Sequence, residues 1–404
     1  MLSVHDRARL VAFAACWLGR LLALPVGNKG WATGAWSMTL RLHRRSFIGG
    51  IAGAMALAAA PVAALRRPAY GPAEGIIKLN ANENPYGPSP KALKAIAEAA
   101  THSAYYPGPT VRRLQEMVAE YNGLKPENVV LTSGSIEALF AVGAAYSRHG
   151  RIVAPALTFG PHLTVVERMG GEVIRVPLTA DLDTDLAGME RAVDNTVSMV
   201  YVCNPNNPTG VEIDAAALRA FCTRVSATAT VMVDEAYNEL TDDPEASSMV
   251  DLVRNGKNVI ITRTFSKLHG IAGLRVGYAL APAHLAEVIS RHAMTQPNLV
   301  GAAAAIATID DEPFLEFSKQ KIREGRELVA DVFRRHEIPY LESRANFVYG
   351  DIGRNADDFR ASMQARNVHI RGIYAPYSTW SRVSMGRMED LEVFARVFSE
   401  VYNA

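Results

Sequence analysis

The chain has 404 residues, 49% hydrophobic, 21% charged and 8% aromatic, with 30 Gly and 21 Pro. This is ordinary globular usage at roughly two to three domains' length, and it excludes collagen, extended disorder and a polytopic membrane protein. The net charge of +1 conceals an asymmetry, because residues 1–67 hold nine of the 42 Lys and Arg residues but only one of the 41 acids, Asp6; the net-acidic remainder has no electrostatic reason to bind nucleic acid.

The basic N-terminal stretch reads as an address. Arg44-Arg45-Ser46-Phe47-Ile48 is followed by a Gly- and Ala-rich run with no charge until Arg66. Paired arginines, a weakly hydrophobic stretch and small residues at Ala63-Ala64 resemble a twin-arginine export signal. The expected location is therefore periplasmic or exported, with the membrane met only through the signal. An uncleaved membrane anchor is the alternative, although the run is short and Ala-rich for a span. Met38 stands six residues before the arginine pair, where such a signal would begin, so residues 1–37 read as an over-extended start.

From about residue 76 the pattern becomes regular. Ser89-Pro90 opens a helix over 91–100, with Ser as cap and Pro near the first helical position, and a second helix covers 111–121. Short β-branched runs then alternate with helical stretches: 128–132, 151–154, 172–176, 197–203, 230–234, 258–262 and 276–280. Seven such runs predict an α/β fold, a mostly parallel seven-stranded sheet with helices on both faces. A smaller α+β portion follows, with strands expected at 346–349, 368–371 and 381–384. The expected division is an N-terminal extension 1–67, an arm and part of the small domain 68–102, a large domain 103–295 and a small domain 296–404. Cys203 and Cys222 lie in apolar runs and read as small buried residues rather than a disulfide. No Cys and His spacing suggests a metal site.

Ligands of open α/β sheets sit at the carboxyl ends of the strands, and the unusual residues fall there. Asn204-Pro205-Asn206-Asn207-Pro208-Thr209-Gly210 follows one strand, Asp234-Glu235-Ala236-Tyr237 ends another, and Thr264-Phe265-Ser266-Lys267 follows a third. A strand-end Lys is commonly just solvated. Partly desolvated, it becomes a nucleophilic amine suited to a Schiff base. A lone Asp after an apolar run is commonly a cap; inside a site it can hold a cation, an attraction of roughly 4 kcal/mol at 4 Å and an effective dielectric near 20. Ser135 would open a helix whose free N–H groups suit a phosphate.

Each signal alone is weak, but their order is specific. The asparagine motif, Asp234, Ser266-Lys267 and then Arg275 resemble the pyridoxal-phosphate aminotransferases of fold type I, class I/II, over about residues 76–402. The likeness is strongest to the histidinol-phosphate aminotransferases. It rests on Leu79-Asn80-Ala81-Asn82-Glu83-Asn84-Pro85-Tyr86-Gly87-Pro88, Tyr106-Pro107, Asn206–Gly210, Asp234–Tyr237 and Ser266-Lys267 through Ala272-Gly273-Leu274-Arg275.

The resemblance implies a three-layer α/β/α large domain with a smaller α+β domain, and it implies roles. Lys267 would carry pyridoxal 5'-phosphate on its amine and act as the catalytic base. Asp234 would pair with the ring nitrogen, Asn207 and Tyr237 would bond the ring 3-oxygen, and Phe159 would stack on the ring. Ser135, the N–H of Ile136, Ser266 and Arg275 would hold the phosphate. Tyr106 would reach that phosphate from a second subunit, implying a homodimer. Arg382 would clamp the substrate carboxylate, Arg371 would help bind a substrate phosphate, and Asn82, Asn84 and Tyr86 would line the entrance. The implied partners are an amino donor and a 2-oxo acid, with glutamate and 2-oxoglutarate as the expected pair. Two departures stand out: Ile136 occupies a position where the family often has an acid, and the 373–379 loop is aromatic. That loop motivates the alternative of an aromatic-amino-acid transaminase or β-lyase of the same fold. A non-catalytic module would be expected to lose Lys267 or Asp234, and both are present.

Overall fold

The computed structural model describes residues 70–404. The export signal, residues 1–37 and their boundary lie outside the described residues.

The strands are β1 (Ile77–Lys78), β2 (Val129–Thr132), β3 (Arg151–Pro155), β4 (Val173–Val176), β5 (Val197–Cys203), β6 (Thr230–Asp234), β7 (Val259–Thr264), β8 (Gly277–Leu280), β9 (Phe347–Asp351), β10 (Val368–His369) and β11 (Trp380–Ser384). The helices are α1 (Pro90–Ala100), α2 (Gly108–Tyr121), α3 (Ser135–Tyr146), α4 (Pro161–Arg168), α5 (Leu186–Arg191), α6 (Ala215–Val225), α7 (Pro244–Ser247), α8 (Val250–Arg254), α9 (Ala283–His292), α10 (Leu299–Thr308), α11 (Glu312–Arg335), α12 (Ala356–Gln364) and α13 (Met388–Tyr402). As expected from Ser89-Pro90, the Ser89 hydroxyl caps α1 by accepting from the Ala92 N–H.

The large sheet runs β2-β8-β7-β6-β5-β3-β4 and is parallel except for β8, which is antiparallel to both neighbours. Its central strands are buried on both faces, which is why they read as continuous apolar runs. Side chains nevertheless alternate between two cores. Val200, Val202, Val231, Val233, Val259 and Ile261 face one layer of helices. Met199, Tyr201, Cys203, Met232 and Ile260 face the other. This is the expected three-layer architecture. The helices α1, α2 and α10 contribute Ala92, Leu114, Ala302 and Ala305 to the first core. Cys203 and Cys222 are separate, buried thiols.

A third core gathers Phe347, Val383, Phe394 and Phe398 with Leu79 and Val368. Around it lie two two-stranded sheets, β1 with β10 in parallel and β9 with β11 antiparallel. These form the smaller α+β part. The run expected as strand 368–371 ends at His369, but Arg371 still pairs with Arg382 through an isolated antiparallel bridge.

Candidate active site

The ends of β3, β5, β6 and β7 open into one cleft of about 590 Å³. It lies where the sheet order reverses, with β4 outside β3 on one side and β6 and β7 beyond β5 on the other. Open α/β sheets leave a ligand crevice at such a point. Thr158 and Phe159 reach the cleft after β3, Asn207 after β5, Asp234 at the end of β6, and Ser266 and Lys267 after β7. Asn82, Arg371, Tyr374 and Arg382 also line it.

Asp234 is 2% exposed. Its Oδ1 accepts from the Thr262 hydroxyl at 3.0 Å, and its Oδ2 lies 3.4 Å from the Tyr201 hydroxyl. Burial raises its carboxyl from 3.8 to about 6, against the opposing pull of Thr262, the Ala236 N–H and the Lys267 charge. Such a group gains most from a cation brought beside it. Glu235, one residue on, serves the fold instead. Its carboxylate accepts from Arg263 Nε and Nη2 at 2.9 and 2.7 Å, from Ser248 and from the Met249 N–H.

Lys267 Nζ donates to the Asn82 carbonyl at 2.7 Å. Burial lowers its ammonium from 10.5 to about 8, assisted by Arg382 and opposed by Asp234 and Glu83. The Tyr237 hydroxyl accepts from the side-chain amides of Asn82 at 2.8 Å and Asn207 at 3.3 Å, leaving its own proton to donate. Burial pushes that phenol above its ordinary value, so it stays protonated. Asn207 Oδ1 in turn accepts from Arg382 Nη1 at 2.7 Å. Arg382 is 5% exposed, with its guanidinium over the rings of Phe347 and Tyr374, and its buried Nε has no partner among the described residues. Arg371 is exposed, but it faces Arg382 across the backbone bridge and lies 5.4 Å from the Tyr374 ring. The antiparallel pairing sets both arginines on one face of the small lobe.

At one end of the cleft is an anion cup. Among the described residues the first turn of α3 has no side-chain cap, so the N–H groups at Ser135 and Ile136 stay available. Arg275 adopts the left-handed φ of 56° and ψ of 63°, and its Nη1 donates to the Ser266 hydroxyl at 3.2 Å. Gly134 (φ 75°) leaves room for that guanidinium, since a Cβ there would sit 2.2 Å from Arg275 Nη2. Gly134→Ala is therefore expected to displace Arg275 and weaken phosphate-ligand affinity by at least about tenfold, from backbone strain and lost charge-assisted bonds. Isothermal titration checks this; unchanged affinity would remove Arg275 from the cup.

Two expected residues stand outside the cleft lining. Asn84 is buried outside the cleft lining, where its amide donates to the Leu268 carbonyl and Ser318. The Tyr86 hydroxyl accepts from the Met388 N–H, and its ring packs edge-on against Phe317. Both fasten the 80–88 segment to the body, and of the three residues expected at the entrance only Asn82 lines the cleft. Tyr106 is 99% exposed and does not line this chain's cleft.

Sequence reasoning passed over Tyr201, Thr262 and Ser384. Thr262 is the register partner of Asp234 across the parallel ladder, and Ser384 donates to Asn82 Oδ1 at 2.6 Å. The available signal was a hydroxyl inside an otherwise apolar strand. Which carboxylate it faces depends on register, and local pattern does not encode register.

The chain matches the family described as aminotransferase class I and II over residues 74–398. It is 36% identical over 332 residues to a histidinol-phosphate aminotransferase of Moorella thermoacetica, covering 81% of this chain and 85% of that protein. With the enzyme of the same description from Halalkalibacterium halodurans, identity is 35% over 319 residues, or 78% and 86% of the two chains. The crystal structure of histidinol-phosphate aminotransferase from Sinorhizobium meliloti in complex with pyridoxal-5'-phosphate superposes with a TM-score of 0.72 at 30% identity, over 80% of this chain and 90% of that one. A lysine, a buried carboxylate and an anion cup at one sheet reversal thus occur in a chain that belongs to the class I and II aminotransferase family.

Proposed function

We propose that this chain is a pyridoxal 5'-phosphate-dependent aminotransferase with histidinol phosphate as amino donor and 2-oxoglutarate as acceptor. The observation that carries the reading is the convergence on one cleft of Lys267, Asp234 and the cup of Ser135, Ile136, Ser266 and Arg275.

The donor set fits the cofactor. Terminal N–H groups, hydroxyls and a guanidinium suit a phosphate. A carboxylate raised by burial suits a ring nitrogen that it can hold as a cation. When bound, the cofactor supplies an aldehyde and an electron-accepting ring. Phe159 would lie on the ring face, and Asn207 and the free proton of Tyr237 would bond the ring 3-oxygen. Lys267, partly neutral at physiological pH, would hold the cofactor and move the proton at the substrate's reacting carbon. Arg382 would clamp the carboxylate of the 2-oxo acid, with its unpartnered Nε as an added donor. Arg371, beside it, would bind the donor's phosphate.

A homodimer follows from the same reading: the exposure of Tyr106 and Tyr105 supports a surface that a second copy covers. Export is supported by Arg44-Arg45 and the run after it.

The competing reading is an aromatic-amino-acid transaminase or β-lyase. It draws on Tyr374, which lines the cleft and packs edge-on against Tyr349 at a ring centroid distance of 6.0 Å. Steady-state assay against histidinol phosphate, Phe, Tyr and cystathionine separates the two. Histidinol phosphate is expected to show the highest kcat/KM. Arg371→Ala should raise its KM by about tenfold while moving that of glutamate less, since one charge-assisted contact to phosphate is lost. Preference for Phe or Tyr, or cleavage of cystathionine, would sink the histidinol-phosphate assignment.

A further inference from the structure

Residues 293–298 lead from α9 to α10 and line no part of the cleft. They are nevertheless tied to both arms of the anion cup. Glu137, in the first turn of α3, accepts at Oε1 from the backbone N–H groups of Met294 and Thr295, both at 2.8 Å. Its Oε2 accepts from the Ser133 N–H at 2.6 Å. One carboxylate therefore joins the segment to the Ser133-Gly134-Ser135 turn. At the other end, Asn298 Nδ2 donates to the carbonyl of Leu274, the residue before Arg275, at 2.9 Å. Asn298 Oδ1 meanwhile caps α10 by accepting from the Gly301 N–H at 2.7 Å. The start of α10 rests closely on the same carbonyl, since a Cβ at Gly301 would lie 2.8 Å from it.

Arg275 needs such support. A non-glycine residue in the left-handed region is strained by about 1–3 kcal/mol and keeps that conformation only where its surroundings over-determine it. The Ser135 turn has a similar need, because its N–H groups must face outward and stay unpaired. Building on the cofactor reading above, we propose that 293–298 is a strap, and that Glu137 and Asn298 are positioning residues for cofactor phosphate binding. Through it the N-terminus of α3 and the Arg275 guanidinium keep a fixed separation. Neither residue lines the cleft, so each acts through the backbone it holds.

Two near-isosteric substitutions cut the strap at opposite ends. Glu137→Gln turns one acceptor into a donor aimed at backbone N–H groups. Asn298→Asp keeps an acceptor for Gly301 but sets a carboxylate against the Leu274 carbonyl. Pyridoxal phosphate is titrated into the full chain stripped of cofactor, with the dissociation constant read from absorbance and the phosphate environment from the 31P resonance. Each variant is expected to raise the dissociation constant about tenfold and shift the 31P signal, as loss of charge-assisted or carbonyl bonds implies. The double variant should bind little worse than the weaker single, because both substitutions release one element. Unchanged affinity with a lower Tm of the stripped protein would make these contacts purely structural and overturn the strap. Effects that multiply in the double variant would also overturn it, as two independent contacts. A wild-type chain that binds no pyridoxal phosphate would overturn the cofactor reading itself, and that failure is visible before any variant is compared.

Discussion

Lys267→Ala is expected to reduce turnover by at least about 10⁴-fold, since on the proposed reading it removes both the amine that would hold the cofactor and the base that would move the proton. The fold should survive, because among the described residues the only hydrogen bond of Nζ is to the Asn82 carbonyl. The variant should lack the absorption band of bound cofactor, and unchanged steady-state rates would refute the assignment. A pH dependence accompanies this. Burial lowers the wild-type ammonium to about 8. At pH 7 roughly one amine in ten is then neutral, against about one in three thousand for an ordinary lysine. The rate at which cofactor-free protein captures the aldehyde should rise with pH and level off above about 8. A profile still climbing at pH 10 would mean that Lys267 is not desolvated.

Asp234→Asn is expected to act in opposite directions on rate and stability. The carboxylate's attraction for a ring cation is about 4 kcal/mol at 4 Å in an effective dielectric near 20, so turnover should fall by about 10³-fold. The cofactor-free protein, however, should become more stable at neutral pH. Its folded-state carboxyl is raised from 3.8 to about 6, chiefly by burial. The stability associated with the protonated form is full below the unfolded value and is lost as pH rises through about 6. Above that pH the ionised group disfavours the folded state by on the order of 3 kcal/mol. Thermal melts of cofactor-free wild type and variant should therefore diverge as pH rises from 4 to 7.5, with the variant melting higher. Converging curves would mean that Asp234 is better solvated than its surroundings indicate.

Much of the sheet was legible because its signals are local. Val197–Cys203 and Thr230–Asp234 read as strands and are strands at those bounds, since runs buried on both faces are largely apolar. The strand expected at 258–262 continues to Thr264. Its last turn of pattern was hidden by Arg263, whose charge looks like a loop until Glu235 is seen to neutralise it in the core. The asparagine motif, Asp234, Lys267 and Arg275 were legible as types at strand ends, and the structure brings all of them to one cleft. Asn84 and Tyr86 could not be placed the same way. They share a motif with Asn82, but a few residues of irregular chain suffice to turn one amide into the cleft and its neighbours into the body.

By itself the sequence determined which segments build the large sheet, which chemistry-bearing residues end them, and in what order. Those facts follow from polarity and period along the chain. Only the tertiary structure decided that Thr262 stands beside Asp234, that Arg371 faces Arg382, and that Glu137 and Asn298 tie a distant segment to the cup. It also decided the proton affinities of Lys267 and Asp234. Register, desolvation and long-range hydrogen bonds depend on what lies across a gap in space, and no local pattern of residues records that.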